Sequence, residues 1–373
     1  MDEKDQTLVL SSGDVQTIVL HVGLDRLTDD LIERLDLAIK LFDPKSTSIP
    51  VRTGFHYEKP EAGLIEWMPL YNQGEKAVVK IVGYHPANPG IHDFPTVVST
   101  ISAYDTSTGH LSAIMDGVLT TALRTGAMSA VASGYLAYQE SSTLGLIGCG
   151  AQAISQIHAL SRRFKLKSAL IYDTDLTAME SFSTRCELLD LEIDIRLADL
   201  EAIAGKSDIL CTATSIDVGA GPVFSDLETL DHLHVNAVGS DFPGKIEIPV
   251  DLLQRSFVCP DFLGQALIEG ECQQLRSEDI DEDLISVAQN PERFVEVRSR
   301  SSVFDSTGWA LEDQVVMDLF LEYATELGLG QKLEIEHIPL DVKNPFDFLE
   351  TPPIRIGQSD DVQQLELNRN FNK

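Results

Sequence analysis

Two regions of the chain differ in how apolar and polar positions follow one another. Between residues 63 and 115, apolar runs of strand length are separated by turn residues and have no helix between them, which predicts a mostly antiparallel sheet. From Thr143 to about Val303, strand-like runs alternate with helical patterns, which predicts a doubly wound parallel sheet. The fold class is therefore α/β with a second, β-rich region. The runs of the first region are Gly63–Leu70, Ala77–Val82, Thr96–Tyr104 and His110–Met115.

Helical patterns precede and join these regions. A run rich in small residues, Leu119–Tyr138, predicts a helix that leads from the first region into the second. A last helix is expected from Asp305–Asp313 to about Leu327, ended by Gly328, and we expect it to return toward the first region. Ser306 is the default cap of that helix. At the start of the chain the pattern predicts a strand and two helices, namely Thr7–Leu10, Val15–Val22 capped by Ser12 or Asp14, and Leu31–Leu41 capped by Thr28 or Asp29.

A glycine turn stands between the apolar run Leu144–Ile147 and a helical pattern that begins near Ala153. Gly148 lets the turn close without a Cβ clash, and Gly150 lets the backbone approach a pyrophosphate at the helix N-terminus. The next strand-like run ends in Asp173, an acid that can hold both ribose hydroxyls of a dinucleotide and would repel a 2′-phosphate. The pattern favours NAD over NADP. The alternative is an ordinary strand-turn-helix unit with a solvated Asp173.

Composition narrows the class of protein. With 373 residues, of which 43% are hydrophobic, the chain can bury a sizeable core in two domains. It has no apolar run of about 18 residues. Its acidic start lacks a signal-peptide core, so we expect a cytoplasmic protein without a membrane span. The five cysteines are scattered, which fits reduced thiols and predicts no metal site. A net charge of -31 argues against nucleic acid as a partner, because phosphate binding needs a basic face.

Three basic side chains lie in settings that suit anion binding. Arg52 lies in an extended segment, Lys80 lies inside an apolar strand, and Arg124 lies among small and apolar residues of a helix. A base in such a setting is either paired or ready to bind an anion. Two arginines and a lysine that converge form a suitable clamp for a carboxylate. Three separate structural ion pairs are an equal alternative, because sequence spacing does not show convergence.

Two acids are candidates for proton transfer. Asp241 follows the strand Val235–Val238, and ligands of open parallel sheets bind beyond the carboxyl ends of the strands. Asp241 would then lie near the nicotinamide end of a cofactor, where a carboxylate can accept a proton. A turn residue before Pro243 is the slightly favoured alternative. Glu66 lies in an apolar strand, where pairing with a nearby arginine is favoured over a functional role.

Short segments from the first sheet to the last helix carry a common family pattern. They are Ile65–Pro69, Lys80–Asn88, Thr121–Thr125, Ile147–Gln152, Tyr172–Asp175, Asn236–Lys245, Ile268–Leu275, Val303–Ser306 and Leu311–Asp313. Together they resemble the ornithine cyclodeaminase and mu-crystallin family over roughly residues 5 to 350. The Glu-Trp-Met-Pro and Glu-Gly-Glu-Cys-Gln-Gln segments are most similar to the bacterial ornithine cyclodeaminase branch.

The resemblance implies a domain organisation and an assembly. It implies a Rossmann domain at residues 131–313 and a discontinuous β-rich domain at residues 1–130 plus 314–350. The β-rich domain would bind substrate and join two copies into a homodimer. An extended tail is expected at residues 351–373.

The resemblance also implies roles for individual residues. Arg52, Lys80 and Arg124 would bind the carboxylate of a small L-amino acid. Asp241 would be the catalytic acid and base, and Glu66 a second acid that positions water. Thr307 would face the substrate at a position where the related enzyme is apolar. The residues implied to bind NAD are Thr96, Arg124, Gly148, Gly150, Ala151, Gln152, Asp173, Thr214, Val238, Gly239, Ser240, Asp241, Lys245 and Ser306.

The activity implied by the resemblance is that of an ornithine cyclodeaminase, an ammonia-lyase of proline biosynthesis that uses NAD catalytically. A hydride leaves Cα of L-ornithine, the neutral distal amine closes a ring on Cα, ammonia departs, and the hydride returns to give L-proline. One alternative is the same chemistry on L-lysine, which gives pipecolate. Others are an NAD(P)-dependent imine or amino acid dehydrogenase, and a non-catalytic binding protein of the crystallin type. Asp241 and Glu66 beside a full clamp argue against the last of these.

Overall fold

The structure is a computed structural model, and it describes residues 6–349 of the chain. The chain divides into two units, a larger one of Thr7–Leu333 and a smaller one of Met1–Gln6 with Glu334–Lys373. Each unit is described by itself. Within residues 6–349, no helix is both long enough and apolar enough to cross a membrane.

The smaller unit contains little regular structure among its described residues. A short helical turn covers Asp347–Leu349. The ring of His337 is hydrogen-bonded through Nε2 to Asp347 Oδ1 at 2.8 Å, and Asp347 also accepts a bond from the backbone N–H of Leu340. The extended tail expected at residues 351–373 lies outside the described residues.

Strands and helices of the larger unit follow the chain in the order of their numbers. The strands are β1 (Thr7–Leu10), β2 (Thr47–Ser48), β3 (Thr53–Tyr57), β4 (Gly63–Asn72), β5 (Lys76–Tyr84), β6 (Val97–Asp105), β7 (Leu111–Asp116), β8 (Thr143–Ile147), β9 (Ser168–Tyr172), β10 (Asp194–Leu197), β11 (Ile209–Thr212), β12 (His234–Ala237), β13 (Phe257–Pro260), β14 (Ser302–Asp305) and β15 (Gln331–Leu333). The helices are α1 (Ser12–Val22), α2 (Leu24–Leu41), α3 (Asn88–Ile91), α4 (Val118–Leu136), α5 (Ala151–Arg163), α6 (Leu176–Cys186), α7 (Leu200–Lys206), α8 (Val250–Arg255), α9 (Leu263–Ala266), α10 (Leu284–Gln289) and α11 (Ala310–Leu327).

The first seven strands and the last one form a mostly antiparallel sheet. Its order is β15-β1-β7-β6-β5-β4-β2, with β3 paired to β4. The pair β1–β7 is parallel and the other pairs are antiparallel. The predicted β-rich region is confirmed. The sequence pattern does not predict β15 or the single helical turn α3, because each is too short to show a periodicity.

Alternation along β4 shows how this sheet is oriented. Leu64, Met68 and Leu70 are buried, whereas Ile65 and Tyr71 are exposed. Successive side chains of a strand point to opposite faces, so one face of the sheet packs against α1, α4 and α11. This packing encloses the largest apolar core of the described residues. The opposite face carries exposed apolar side chains.

The remaining strands form a seven-stranded parallel sheet in the order β10-β9-β8-β11-β12-β14-β13. All its described pairs are parallel, which confirms the predicted doubly wound sheet. The chain runs outward from β8 to β10 and then returns to β11, so the order reverses between β8 and β11. Ligands of such sheets bind at this reversal, beyond the carboxyl ends of the strands.

The predicted cap of the first helix is wrong. Ser11 caps α1, rather than Ser12 or Asp14. The Ser11 side chain accepts a bond from Asp14 N, and the Asp14 carboxylate accepts one from Ser11 N. This reciprocal pair satisfies two N–H groups that the helix itself leaves free. The helix therefore begins earlier than the apolar pattern predicts.

Two further helix starts differ from the prediction. Gly23, at φ 86°, separates α1 from α2, so Thr28 and Asp29 lie inside α2 rather than before it. Leu27 in this first turn is buried, and its packing stabilises a helix start that capping residues do not predict. The last helix begins at Ala310, and Ser306 is therefore not its cap. Its predicted end at Gly328, and its return to β4 and β5, are confirmed.

The predicted connecting helix is α4, which is buried over most of its length. Gly126 lets it approach α5 closely, because a Cβ at this position would lie 2.5 Å from the carbonyl oxygen of Ser155. α4 also packs against α2 and α11. It thus joins the antiparallel sheet to the parallel one and carries Arg124 between them.

Candidate active site

A cavity of about 110 Å³ lies beside the inner face of β4 and β5, close to α4 and to the loops that follow β12 and β14. It brings together residues from widely separated parts of the chain. Its lining residues are Arg52, Leu64, Glu66, Met68, Lys80, Val82, Tyr84, Val97, Thr121, Arg124, Thr125, Gln152, Val238, Asp241, Ser306, Thr307 and Gly308.

The three bases singled out in the sequence all line this cavity. Lys80 projects from the inner face of β5, Arg124 projects from α4, and Arg52 precedes β3. All three have buried side chains. The convergence that the clamp hypothesis requires is therefore present. The ion pairs of the alternative are present too, because each base also contacts a buried carboxylate.

Two carboxylates at the start of α11 hold two of these bases. Lys80 Nζ donates to Asp313 Oδ1 at 2.8 Å, and Arg124 Nη1 donates to Glu312 Oε2 at 2.7 Å. Arg124 Nε also lies 3.4 Å from Asp313 Oδ1. Burial and the nearby Arg124 lower the pKa of Lys80 to about 8, although Asp313 opposes this. Burial raises the pKa of Glu312 to about 7, against the opposing effect of Arg124.

Several polar atoms beside the cavity lack a hydrogen bond. They include the Nε atoms of Arg52 and Arg124, and one carboxylate oxygen each of Glu312 and Asp313. Buried polar groups are nearly always paired in folded proteins. The two Nε atoms lie 3.4 Å from Glu66 Oε2 and Asp313 Oδ1, in ion pairs without a hydrogen bond, and a bound polar ligand could satisfy the hydrogen-bonding capacity that remains.

Arg52 connects the cavity to the loops of the parallel sheet. Its Nη1 donates to the carbonyl of Thr307 at 3.1 Å, and its Nη2 donates to the carbonyl of Asp241 at 3.0 Å. It forms ion pairs with Glu66 and Glu269. Burial lowers the pKa of Arg52, although Glu66 and Asp241 oppose the shift.

Asp241 lies just beyond β12, as predicted, and lines the cavity. Oδ1 accepts a bond from Lys245 Nζ at 2.5 Å, and the same ammonium lies 3.2 Å from the hydroxyl of Tyr84. The side chain of Asp241 is about one-third exposed, at 33%, which leaves it accessible to a ligand. Tyr84 is not predicted as a site residue from the sequence, because a tyrosine at the end of a strand gives no local signal of a ligand site.

Glu66 is buried on the inner face of β4 and lines the cavity. Its Oε2 lies 3.4 Å from Arg52 Nε, so the pairing expected as the alternative is present. Its Oε1 is hydrogen-bonded to His56 Nε2 at 2.9 Å. Glu66 therefore combines an arginine pair with a place in the candidate site.

The glycine turn has the geometry that a dinucleotide needs. Gly148 has φ 96°, and a Cβ there would lie 2.5 Å from the carbonyl oxygen of Ala213. A Cβ at Gly150 would have nothing within 4 Å, and no side chain caps the helix that follows. The N–H groups of the first turn of α5 are thus open to an anion. Asp173 follows β9, and its Oδ2 accepts a bond from Cys149 N at 2.6 Å. These residues fit a bound dinucleotide.

The other sequence-predicted residues divide into two groups. Gln152, Val238, Ser306 and Thr307 line the cavity with the bases and acids. The predicted residues outside its lining are Thr96, Gly148, Gly150, Ala151, Asp173, Thr214, Gly239, Ser240 and Lys245. Most of these lie beyond the carboxyl ends of β8, β9, β11 and β12. Thr96 instead precedes β6, where its carbonyl accepts a bond from His85 N.

A buried carboxylate that the sequence analysis missed holds two of these loops. Glu247 Oε1 accepts bonds from Thr214 N and Oγ1, both at 2.7 Å, and Oε2 accepts one from Gly239 N at 2.8 Å. Burial raises the pKa of Glu247, although these bonds oppose the shift. The available signal is an acid between isoleucines in Ile246–Ile248, which alone does not distinguish a loop anchor from an exposed strand residue.

Thr307 differs from its expected role in one respect. It lines the cavity, but its hydroxyl donates to Asp261 Oδ1 at 2.8 Å. Asp261 also accepts a bond from Gly308 N at 2.6 Å, and burial raises the pKa of Asp261 to about 6. The hydroxyl of Thr307 therefore holds its own loop. By contrast, Ser306 Oγ is buried and has no hydrogen-bond partner.

Known proteins resemble the chain along most of its length. A sequence model of the ornithine cyclodeaminase/mu-crystallin family matches residues 14–327. The L-lysine cyclodeaminase of Streptomyces rapamycinicus is 41% identical over 344 residues, which cover 92% of this chain and 100% of that protein.

Solved structures show the same relationship. One describes the recognition of L-lysine, L-ornithine and L-2,4-diaminobutyric acid by lysine cyclodeaminase; it has a TM-score of 0.89 and 45% identity, and covers 92% of this chain and 99% of that one. An archaeal alanine dehydrogenase dimer with bound NAD has a TM-score of 0.78 and 30% identity, and covers 89% and 100%. The chain therefore belongs to the ornithine cyclodeaminase/mu-crystallin family.

Proposed function

We propose that this protein is an NAD-dependent L-lysine cyclodeaminase, which converts L-lysine to L-pipecolate and ammonia. The observation that carries the proposal is the convergence of three bases on a cavity that Asp241 and Glu66 also line. L-Lysine replaces L-ornithine, the substrate expected from the sequence, because the relative at 41% identity is an L-lysine cyclodeaminase. L-Ornithine is proposed as a second substrate, since the structure at 45% identity describes recognition of both amino acids.

The charges around the cavity suit a diamino acid. Arg52, Lys80 and Arg124 offer cationic donors to one carboxylate. The acids in contact with these bases are Glu66, Glu269, Glu312 and Asp313, and Asp241 lines the same cavity. L-Lysine brings one carboxylate and two amines, so a site with more acids than bases complements it better than it complements alanine.

NAD is proposed to lie across the carboxyl ends of β8, β9, β11 and β12. The first turn of α5, at Gly150–Gln152, would receive the pyrophosphate, and Asp173 would hold the ribose hydroxyls. The other residues proposed to contact it are Thr96, Arg124, Gly148, Thr214, Val238, Gly239, Ser240, Lys245 and Ser306. When bound, NAD supplies the hydride acceptor and donor for Cα, so it is recycled in each turnover.

The acids of the site are proposed to handle the protons. Asp241 would take a proton from the substrate amine, with Lys245 Nζ holding its Oδ1 in place. Glu66, which forms an ion pair with Arg52, would act as a second acid. The distal amine must be neutral to attack Cα, and the clamp would hold the chain so that this amine can fold back on Cα.

A homodimer joined through the β-rich domains is part of the proposal, together with the domain limits given above. The outward face of the antiparallel sheet supports it, since Phe55, Ile65, Tyr71 and Ile81 are 66%, 40%, 43% and 47% exposed. A contiguous apolar face of this kind marks an interaction surface. In light-scattering mass measurements, Ile81→Glu should lower the mass to that of one chain. Leu188→Glu changes an isolated exposed leucine and should leave the mass unchanged.

The experiment that tests the function is a paired assay with catalytic NAD and either L-lysine or L-ornithine. Ammonia and cyclic amino acid are followed by chromatography, while absorbance follows NADH. Ammonia with pipecolate and no net NADH supports the proposal. Turnover of ornithine alone would return the assignment to ornithine cyclodeaminase, whereas steady NADH growth would indicate an amino acid dehydrogenase. Asp241→Asn should still bind NAD and lose turnover, and near wild-type turnover would disprove the role of Asp241.

A further inference from the structure

The proposed reaction requires proton transfers that neither the three bases nor NAD provides. The amines of free lysine are protonated at neutral pH, since an amine of this kind has an ordinary pKa of about 10.4. The distal amine must lose a proton before it attacks, and the departing ammonia must gain one. The two transfers balance over a turnover but occur in different steps, so a group beside the cavity has to take up a proton in one step and supply one in the other, and exchange with solvent through that group serves both. This inference rests on the proposed function.

A histidine next to Glu66 lies on such a path. His56 Nε2 is 2.9 Å from Glu66 Oε1. The side chain of Glu66 is 6% exposed and lines the cavity, whereas that of His56 is 42% exposed. The pair therefore spans the distance from the cavity to the surface with one hydrogen bond.

Strand register fixes this geometry. β3 and β4 are antiparallel, with Gly54 opposite Glu66 and His56 opposite Leu64. His56 and Glu66 thus project from the same face of the sheet. Gly54 leaves room for the carboxylate, because a Cβ at this position would lie 2.8 Å from Glu66 Cγ. The outward, apolar face of the sheet, which carries Phe55 and Ile65, is the opposite one.

The surroundings of His56 keep the ring in place without competing for its proton. The ring of Phe242, next to Asp241 in the chain, packs against it with centroids 4.7 Å apart. Among the charged groups near it are Glu66, which bonds to it, and Arg52, whose Nε lies 3.4 Å from the far oxygen of Glu66. Asp241 precedes Phe242, and its carboxylate is bonded to Lys245.

Another polar chain beside the cavity is less suited to exchange protons with solvent, because it begins and ends at residues that line the cavity. It runs from Asp241 through Lys245 to Tyr84. Burial raises the pKa of Tyr84. Burial lowers the pKa of Lys245, but Asp241 and Tyr84 together outweigh this effect, so the pKa is raised. Both groups therefore hold their protons at neutral pH, whereas an imidazole can gain and lose one there.

We infer that His56 exchanges protons between solvent and Glu66, and through Glu66 with the reacting amines. In one direction, the proton that Glu66 has taken moves from Oε1 to Nε2 as the proton on Nδ1 passes to water. In the other direction, water returns a proton to Nδ1 as the proton on Nε2 moves to Glu66, which gives it to the departing ammonia. Only protons move, and nothing is oxidised or reduced. His56 acts through Glu66 and does not itself touch the substrate.

His56→Gln tests this inference, because an amide can keep the bond to Glu66 but cannot exchange protons. We expect kcat with L-lysine to fall at least about tenfold, in keeping with the effects of lost acid-base groups. The KM for lysine and the Kd for NAD should stay within about twofold, and one ionisation should disappear from the pH profile of kcat. His232→Gln is the matched control, since its Nε2 lies 2.9 Å from Asp208 Oδ1 and its side chain is 28% exposed, away from the lining of the cavity. That variant should keep the wild-type rate and profile.

Imidazole rescue separates proton exchange from a structural role. Added imidazole should restore part of the turnover of His56→Ala and should not raise that of the wild-type enzyme. A His56→Gln variant with unchanged kcat and pH profile overturns the inference. So does a fall in kcat with an equal weakening of NAD binding and no rescue, since His56 would then only support the fold. A wild-type enzyme that releases no ammonia from either diamino acid overturns the proposed function itself, and this inference with it.

Discussion

Lys80 and Asp313 form an ion pair that joins the inner face of β5 to the first turn of α11. Their side chains are 1% and 0% exposed, and Nζ lies 2.8 Å from Oδ1. The same strand and helix share a second pair, Lys76 with Asp318, whose side chains are 28% and 32% exposed. Both are lysine–aspartate pairs, and they differ in burial and in the additional contact of Asp313 with Arg124 Nε at 3.4 Å.

Asp313→Asn should be far more damaging than Asp318→Asn. It leaves Lys80 buried without its counter-charge, which should cost about 3 to 5 kcal/mol of unfolding free energy and lower the pKa of Lys80 below its present value of about 8. The KM for lysine should therefore rise and should fall again at lower pH. Asp318→Asn should cost about 1 kcal/mol or less, as surface pairs do. Denaturant unfolding and initial rates measure both effects. Equal losses in the two variants would show that burial of the pair is unimportant.

Gly308→Ala should disturb the clamp through Arg124. Gly308 has φ 76°, and a Cβ there would lie 2.7 Å from Arg124 Nη1. Displacing the guanidinium should raise the KM for lysine about tenfold, equivalent to about 1.4 kcal/mol. Gly328→Ala is the control, because Gly328 has φ 66° and nothing lies within 4 Å of its Cβ position. Both variants should lose about 1 to 2 kcal/mol of stability from the left-handed backbone. A raised KM in both would refute the steric explanation.

Gly150→Ala should weaken NAD binding without affecting the fold. Its φ of -78° suits alanine, and the added methyl group would project into the open space before α5. We expect the Kd for NAD to rise about tenfold or more by calorimetry, because the pyrophosphate needs close approach to the backbone. The Tm without cofactor should be unchanged.

Gly148→Ala, in contrast to Gly150→Ala, should lower the stability of the fold. Its φ of 96° and the carbonyl oxygen of Ala213, 2.5 Å from the Cβ position, leave no room for a side chain, so the Tm should fall. An unchanged Kd in Gly150→Ala would mean that the anion does not bind at α5.

His234 should make stability depend on pH. Burial lowers its pKa from 6.5 to about 3, and its Nδ1 lies 2.8 Å from Ser302 Oγ on the neighbouring strand. Between these pH values the unfolded chain binds a proton that the folded chain does not, so the contribution is present above pH 6.5 and is lost as the pH falls. From pH 7 to pH 5 the loss should be about 2 kcal/mol. Between pH 7 and pH 5, the His234→Asn variant should lose about 2 kcal/mol less stability than the wild-type protein. The exposed His92, changed to Asn, is the control, and equal pH slopes in both variants would contradict the assignment.

Most elements, and the features that depend on near neighbours, could be predicted from the chain itself. Apolar runs of strand length predicted most strands of both sheets, and strand-helix alternation predicted that the second sheet is parallel. Gly148, Gly150 and Asp173 could be found because a glycine turn, a helix start and a strand end are consecutive in the chain. These features follow from periodicity and turn chemistry, which act over a few residues.

Contacts between remote side chains could not be predicted in this way. Lys80 and Asp313 are 233 positions apart, and Arg124 and Glu312 are 188 apart, so no local pattern links them. The sequence left the clamp and separate ion pairs as equal alternatives, and the folded chain both brings the three bases to one cavity and pairs each of them with a carboxylate. Sheet register likewise set His56 beside Glu66, and the turn after β14 bound the hydroxyl of Thr307 to Asp261. Sheet order and helix packing fix the distances between remote side chains. Local sequence fixes only the face of the strand or helix on which each side chain lies.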